Sequence, residues 1–167
     1  PTADGARELL RAHPSSSHRN AGNITSPNIF PRFLIANASH STLMLKEGVK
    51  TERIHTLNGH TDWITAVAID ANGQHVATAS WDGTVRIWNA DTGECLRTFT
   101  GHGAPVSAVC FVPNTSNILS ASVDGKILCW NSLNGAAVYT LAGHELPVWE
   151  LSVGPDGKQL VSKTEDG

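Results

Sequence analysis

The sequence predicts an all-β chain assembled from repeated four-stranded antiparallel units, and three observations carry that prediction. Gly59-His60, Gly101-His102 and Gly143-His144 recur at a spacing of 42 residues. Asp82-Gly83, Asp124-Gly125 and Asp166-Gly167 keep the same spacing of 42. Between these markers apolar residues alternate with polar ones, as in half-buried strands, and turn residues separate the runs. TVRIWN (84 to 89) and KILCWN (126 to 131) also stand 42 apart, and no gap is needed between residues 60 and 167.

Each unit reads the same way. Its first strand covers 63 to 69, with equivalents at 105 to 111 and 147 to 153. The apolar positions of that strand, Ile64, Val67 and Ile69 in the first unit, fall four, seven and nine residues after the histidine. The step from four to seven breaks the alternation by one residue, which predicts a β-bulge near the strand start. Turns such as Asp70-Ala-Asn-Gly73 and Gly154-Pro-Asp-Gly157 lead into the second strands HVATAS, NILSAS and QLVSKT. The Asp-Gly turn, a third strand (TVRIW or KILCW), a turn at Thr92-Gly93 or Asn134-Gly135 and a fourth strand complete the unit. A lone four-stranded meander cannot bury both of its apolar faces, so such units must stack radially as the blades of a β-propeller.

Run backwards, the same spacing places TLML (42 to 45) and RIHTL (53 to 57) in a degenerate blade over 33 to 58. Full repeats then occupy 59 to 100 and 101 to 142, and a truncated one 143 to 167, which together make a propeller segment over 33 to 167. Residues 1 to 32 show no strand pattern and are expected to be poorly ordered or outside the propeller, with ARELLRAH (6 to 13) at best a short amphipathic helix. Propellers close with about four to eight blades, so an incomplete propeller is expected, a fragment whose open strand edges invite association.

Composition narrows the function. The formal net charge is -3 and no stripe of Lys and Arg could neutralise many phosphates, which argues against a nucleic-acid partner. No run approaches the ~20 apolar residues of a membrane helix, and PTADGARELL has no secretory pattern. Three cysteines, Cys95, Cys110 and Cys129, without metal-ligand spacing fit an intracellular compartment, cytoplasmic or nuclear. The histidines follow the repeat or scatter singly, so neither a metal nor a cofactor is expected.

The Gly-His starts, the Ser-x-Asp-Gly turns and the strands ending in tryptophan resemble the WD-repeat family over residues 60 to 167. The departure is Trp88-Asn89 and Trp130-Asn131 where the family has Trp-Asp, although asparagine can still accept hydrogen bonds at that turn. The resemblance implies a buried hydrogen-bonded tetrad in each blade: His60, Thr78, Asp82 and Trp88, then His102, Ser120, Asp124 and Trp130, then His144, Ser162 and Asp166. Trp63, Trp81 and Trp149 do not repeat. The resemblance implies that they line the rim of the wider top face with Thr65, Pro105, Ser107, Val123, Pro147 and Glu165, where a partner docks; the rings could instead pack on a neighbouring loop.

A histidine, an aspartate and a hydroxyl (Thr78 or Ser80) also suit a hydrolase, but the set recurs once per repeat and so belongs to the blade. The expected function is a non-catalytic scaffold or adaptor that takes a protein or peptide on its top face, rather than nucleic acid, membrane or a small molecule. The alternative is the partner- or sensor-binding propeller of a larger multidomain enzyme or signalling protein.

Overall fold

Alternating runs bounded by Gly, Asn and Asp turns put the backbone into short extended segments. The computed structural model describes residues 32–36, 42–47 and 53–165, and among them it forms strands and turns without a helix. The expectations for residues 1 to 31, and for Asp166, lie outside the described residues.

Strands β1 (Arg32–Ala36), β2 (Thr42–Glu47) and β3 (Arg53–Asn58) form a three-stranded antiparallel sheet. Next come β4 (Ile64–Ile69), β5 (His75–Ser80), β6 (Thr84–Asn89) and β7 (Cys95–Thr100), a four-stranded meander. Strands β8 (Val106–Phe111), β9 (Asn117–Ser122), β10 (Ile127–Asn131) and β11 (Ala137–Leu141) repeat that meander, and β12 (Val148–Val153) pairs with β13 (Leu160–Thr164). Strand β1 has no counterpart in the strand patterns read from the sequence, which begin at residue 42.

The bulge expected near the start of each first strand is present at Ile64/Ala66, Val106/Ala108 and Val148/Glu150. Those strands begin at the first apolar position of each pattern, Ile64, Val106 and Val148, one residue later than the expected ranges at 63, 105 and 147. Just before them the carbonyls of Trp63 and Pro105 accept the N–H of Trp81 at 2.8 Å and of Val123 at 3.1 Å, closing the ladder from the loop side. A second irregularity, at Leu45/Lys46, Ile87/Trp88 and Cys129/Trp130, keeps the same spacing without any mark in the sequence.

Both faces of the first full blade are covered. Trp88, Val76 and Ala90 pack with Leu57 of β3 on one side. Ala77, Ala79, Val85, Ile87 and Phe99 pack with Val106, Val109, Ile118, Leu128 and Trp130 of the next blade on the other. Beyond it, Leu119, Ala121, Ile127 and Cys129 meet Val148 of β12. The first strands β4, β8 and β12 lie side by side, whereas the last strand of each full blade is largely exposed.

Hydrogen bonds between blades repeat as well. The Thr65 hydroxyl donates to the Val106 carbonyl at 2.6 Å, and the Ser107 hydroxyl donates to the Val148 carbonyl. Farther out, His55 of β3 bonds the Asp91 carbonyl, and Arg97 of β7 donates to the carbonyls of Ser132 and Leu133.

Candidate functional site

In each blade the first strand starts and the second ends at one end of the sheet, so the Gly-His loops and Asp-Gly turns gather on a single face. The Asp-Gly turn needs a left-handed residue, and Gly83 (φ 80°) and Gly125 (φ 78°) supply it. The Gly of Gly-His answers to a different demand: a Cβ on Gly101 would stand 2.7 Å from the Trp130 ring.

Beneath this face the predicted tetrad residues meet. In the first full blade His60 Nδ1 lies 2.8 Å from Asp82 Oδ2, His60 Nε2 lies 2.7 Å from Thr78 Oγ1, and Trp88 Nε1–H donates to Thr78 Oγ1 at 2.9 Å. An ionised carboxylate only accepts, so the His60 proton sits on Nδ1. Nε2 then accepts from the Thr78 hydroxyl, whose oxygen in turn takes the indole N–H. This one-way chain holds only while His60 is neutral. Burial is the main influence that lowers the His60 pKa, outweighing the opposing pull of Asp82. Burial pushes the Asp82 carboxyl up, but hydrogen bonds from Thr84, His60 and the Thr61 backbone outweigh it and bring Asp82 down to about 2.

The next blade repeats the chain with a serine. Trp130 Nε1–H donates to Ser120 Oγ at 2.8 Å, and Ser120 Oγ lies 2.8 Å from His102 Nε2. The final contact is looser, because His102 Nδ1 is 3.5 Å from Asp124 Oδ2 and, though buried, makes no hydrogen bond. Burial again lowers the His102 pKa, and Asp124 is also lowered, its backbone bonds to Lys126 and Gly103 outweighing burial. In the third repeat His144 Nε2 lies 2.8 Å from Ser162 Oγ, but His144 is exposed where the resemblance implied burial, since among the described residues its sheet holds β12 and β13 alone.

The asparagines that replace the family's closing aspartate act as acceptors. Asn89 Oδ1 takes the N–H groups of Asp91 and Thr92 at 2.8 and 2.9 Å, and Asn131 Oδ1 those of Leu133 and Asn134, both at 3.0 Å.

As chemistry, the His60 constellation is closed. Thr78 is fully buried, and its oxygen is already held by an indole N–H and an imidazole, so no substrate can reach it. The Ser80 hydroxyl, also fully buried, donates to the Asp62 carbonyl and accepts the Asp82 N–H, tying two loops together.

The other predicted residues spread across the face above. Trp63 and Trp81 come together: their rings stack with centroids 6.1 Å apart at 29°, and they are 48% and 50% exposed. At the equivalent places Pro105 and Val123 are half-buried, as is Pro147, while Glu165 is exposed. Trp149 is 43% exposed on β12, two sheets removed from the stacked pair. Thr65 and Ser107 sit at the bulges, where their hydroxyls bind the next blade. The blade ties made by His55 and Arg97 were not singled out in the sequence; their spacing of 42 was the available signal, but a histidine and an arginine do not match by identity.

Comparison with known proteins gives a consistent picture. The family model "WD domain, G-beta repeat" matches residues 51–89, 93–131 and 135–167. The chain is 51% identical over 41 residues to a probable E3 ubiquitin ligase complex SCF subunit sconB of Aspergillus clavatus. It is 55% identical over 40 residues to its counterpart in Arthroderma otae, and 50% identical over 46 residues to eukaryotic translation initiation factor 3 subunit I of Aspergillus niger. These stretches cover 25%, 24% and 28% of the chain, and 6%, 6% and 14% of the respective relatives.

Proposed function

The chain belongs to the WD-repeat family, and from that premise we propose that it is a non-catalytic scaffold or adaptor whose Trp63–Trp81 face docks a protein or peptide partner. The observation that carries this reading is the stacked, half-exposed indole pair, at a place where the other repeats have Pro105 with Val123 and Pro147 with Glu165. Rigid aromatic rings bury a large area at low entropic cost, which makes them the usual anchors of interfaces. The tetrads below supply rigidity, and the relatives are named as subunits of larger complexes. A net charge of -3 favours protein over nucleic acid as the partner, and the unpaired state of Cys95, Cys110 and Cys129 favours a reducing compartment, cytoplasm or nucleus.

A second reading, the partner- or sensor-binding propeller of a larger multidomain enzyme or signalling protein, is favoured by one fact. The matched stretch is only 6% of the ligase-complex subunits.

Co-purification of partners with the chain and with a Trp63→Ala/Trp81→Ala variant tests the docking face. Partners should be lost from the variant while its melting temperature stays nearly unchanged, and an Asp91→Asn control on the opposite face should keep them. Retention of every partner by a folded double variant would show that these rings are not the anchor.

A further inference from the structure

The first full blade holds a cation that the repeat does not require. Arg86 stands on β6, where the repeats on either side have Met44 and Leu128. What recurs with the blade serves the blade, so an arginine at an otherwise apolar position needs another reason.

Its surroundings offer charge but few acceptors. Arg86 Cζ lies 5.9 Å from the centre of the Trp88 ring, and a π face attracts a cation while accepting N–H groups poorly. Asp82 is already held by His60, Thr84 and the Thr61 N–H, and no carboxylate of the described residues forms an ion pair with Arg86. Arg86 Nε, though buried, makes no hydrogen bond. A guanidinium carries five N–H donors in a fixed fork, and leaving them unfilled on a half-buried cation is costly.

The neighbours leave room for an acceptor and add donors. A Cβ on Gly59 would run into Arg86 Nη1 and come within 3.2 Å of the Trp88 ring, so the glycine keeps that side clear. Thr98 stands opposite Arg86 in the ladder of β6 and β7, and Thr100 opposite Thr84, which puts both hydroxyls on the Arg86 side of the sheet. Both threonines are exposed, and the Thr98 hydroxyl meets only Cys95 Sγ, at 3.8 Å, a weak partner. A fork of N–H donors flanked by hydroxyls is matched by an oxyanion.

We propose that Arg86 is an oxyanion site, taking a carboxylate or phosphoryl group of an acidic partner segment on its N–H fork while the Thr98 and Thr100 hydroxyls donate beside it. The site does not depend on the Trp63–Trp81 docking face.

Fluorescence anisotropy of the full chain with labelled Gly/Ser peptides that carry phosphoserine, aspartate, serine or arginine at one central position tests this. The better of the two anionic peptides should bind about tenfold tighter than serine and so tell phosphoryl from carboxylate, and arginine should bind no better than serine. Arg86→Leu, which installs the residue of the next blade, should abolish the preference. Arg86→Lys, which keeps the charge without the fork, should weaken anion binding about fivefold, and Thr98→Ala with Thr100→Ala about threefold. The Trp63→Ala/Trp81→Ala variant should keep the preference while losing the partners of the docking face. The Arg86 Nε–H resonance of the parent chain gives a second measure that survives any misfolding of the variants: it should move on titration with inorganic phosphate or acetate but not with chloride at equal ionic strength. Equal binding of anionic and neutral peptides, a preference retained by folded Arg86→Leu, or an Nε–H resonance that neither oxyanion moves would overturn the proposal.

Discussion

The two full blades carry the same four tetrad positions, yet one tetrad is closed and the other is not. His60 reaches Asp82 at 2.8 Å, whereas His102 stops 3.5 Å short of Asp124. Serine replaces threonine at Ser120 and Gly103 stands for Thr61, but the difference that adds or removes a side-chain donor to the carboxylate lies at one residue. At the start of the third strand the first blade has Thr84, whose hydroxyl donates to Asp82 Oδ1 at 2.6 Å and lies 3.3 Å from His60 Nδ1. The second blade has Lys126, which offers Asp124 only its backbone N–H, at 2.9 Å. A repeat can therefore hold the positions of a buried network while a neighbour outside the motif changes the hydrogen bonds offered to its carboxylate.

The largest expected difference comes from removing the carboxylates. Asp82→Ala strips acceptors from His60, Thr84 and the Thr61 N–H, leaving a buried imidazole N–H unpaired, and should cost about 2–3 kcal/mol. Asp124→Ala should cost only about 1 kcal/mol, since the buried His102 Nδ1 already lacks a hydrogen bond. Urea denaturation of both variants measures the gap, and equal losses would break the distinction between the blades.

Acid should act next, with one sign throughout. The folded-state pKa values of His60 and His102 are lowered, chiefly by burial, so below about 6.5 the unfolded chain takes up protons that the folded chain refuses. Asp82, at about 2 in the fold against 3.8 ordinarily, adds stability that is complete above the ordinary value and lost as pH falls toward about 2. The urea midpoint should accordingly be flat between about pH 7 and 8, decline below about 6.5, and decline again below about 4. Asp82→Asn should shrink the second decline more than Asp124→Asn does. A midpoint that rises on acidification would contradict the neutral-histidine chain.

Much of this was legible in the sequence because the repeat is written in residue types that must be buried or must turn. Trp88 and Trp130, Gly83 and Gly125, and the broken alternation after His60 each leave a mark that the 42-residue spacing reveals. The ties between blades leave only the spacing, without a shared residue identity. Thr65 and Ser107 read as rim residues, and only the neighbouring blade shows that their hydroxyls bind Val106 and Val148. His55 and Arg97 do equivalent work with different side chains, so the spacing of 42 joins them but residue identity does not. The stacking of Trp63 on Trp81 was hidden for a related reason. The rings are 18 residues apart and meet because the Trp63 carbonyl takes the Trp81 N–H, a hairpin contact that depends on the bulge.

The smallest effect is the sharpest test of the comparison. Lys126→Thr places in the second blade the hydroxyl that Thr84 supplies in the first. Lys126 is exposed, so little packing is lost, and threonine suits the start of a strand. The new hydroxyl should donate to Asp124 Oδ1 as Thr84 does to Asp82, steadying the carboxylate so that Oδ2 can close on His102 Nδ1. Net gain should be about 0.5–1 kcal/mol, the worth of one added hydrogen bond. A stability gain by itself would not separate that outcome from strand propensity. Histidine NMR would, because closure should move the His102 Nδ1–H resonance toward that of His60, while propensity alone would leave it in place. If stability and resonance both stay unchanged, the Thr84 hydroxyl is not what shuts the first tetrad.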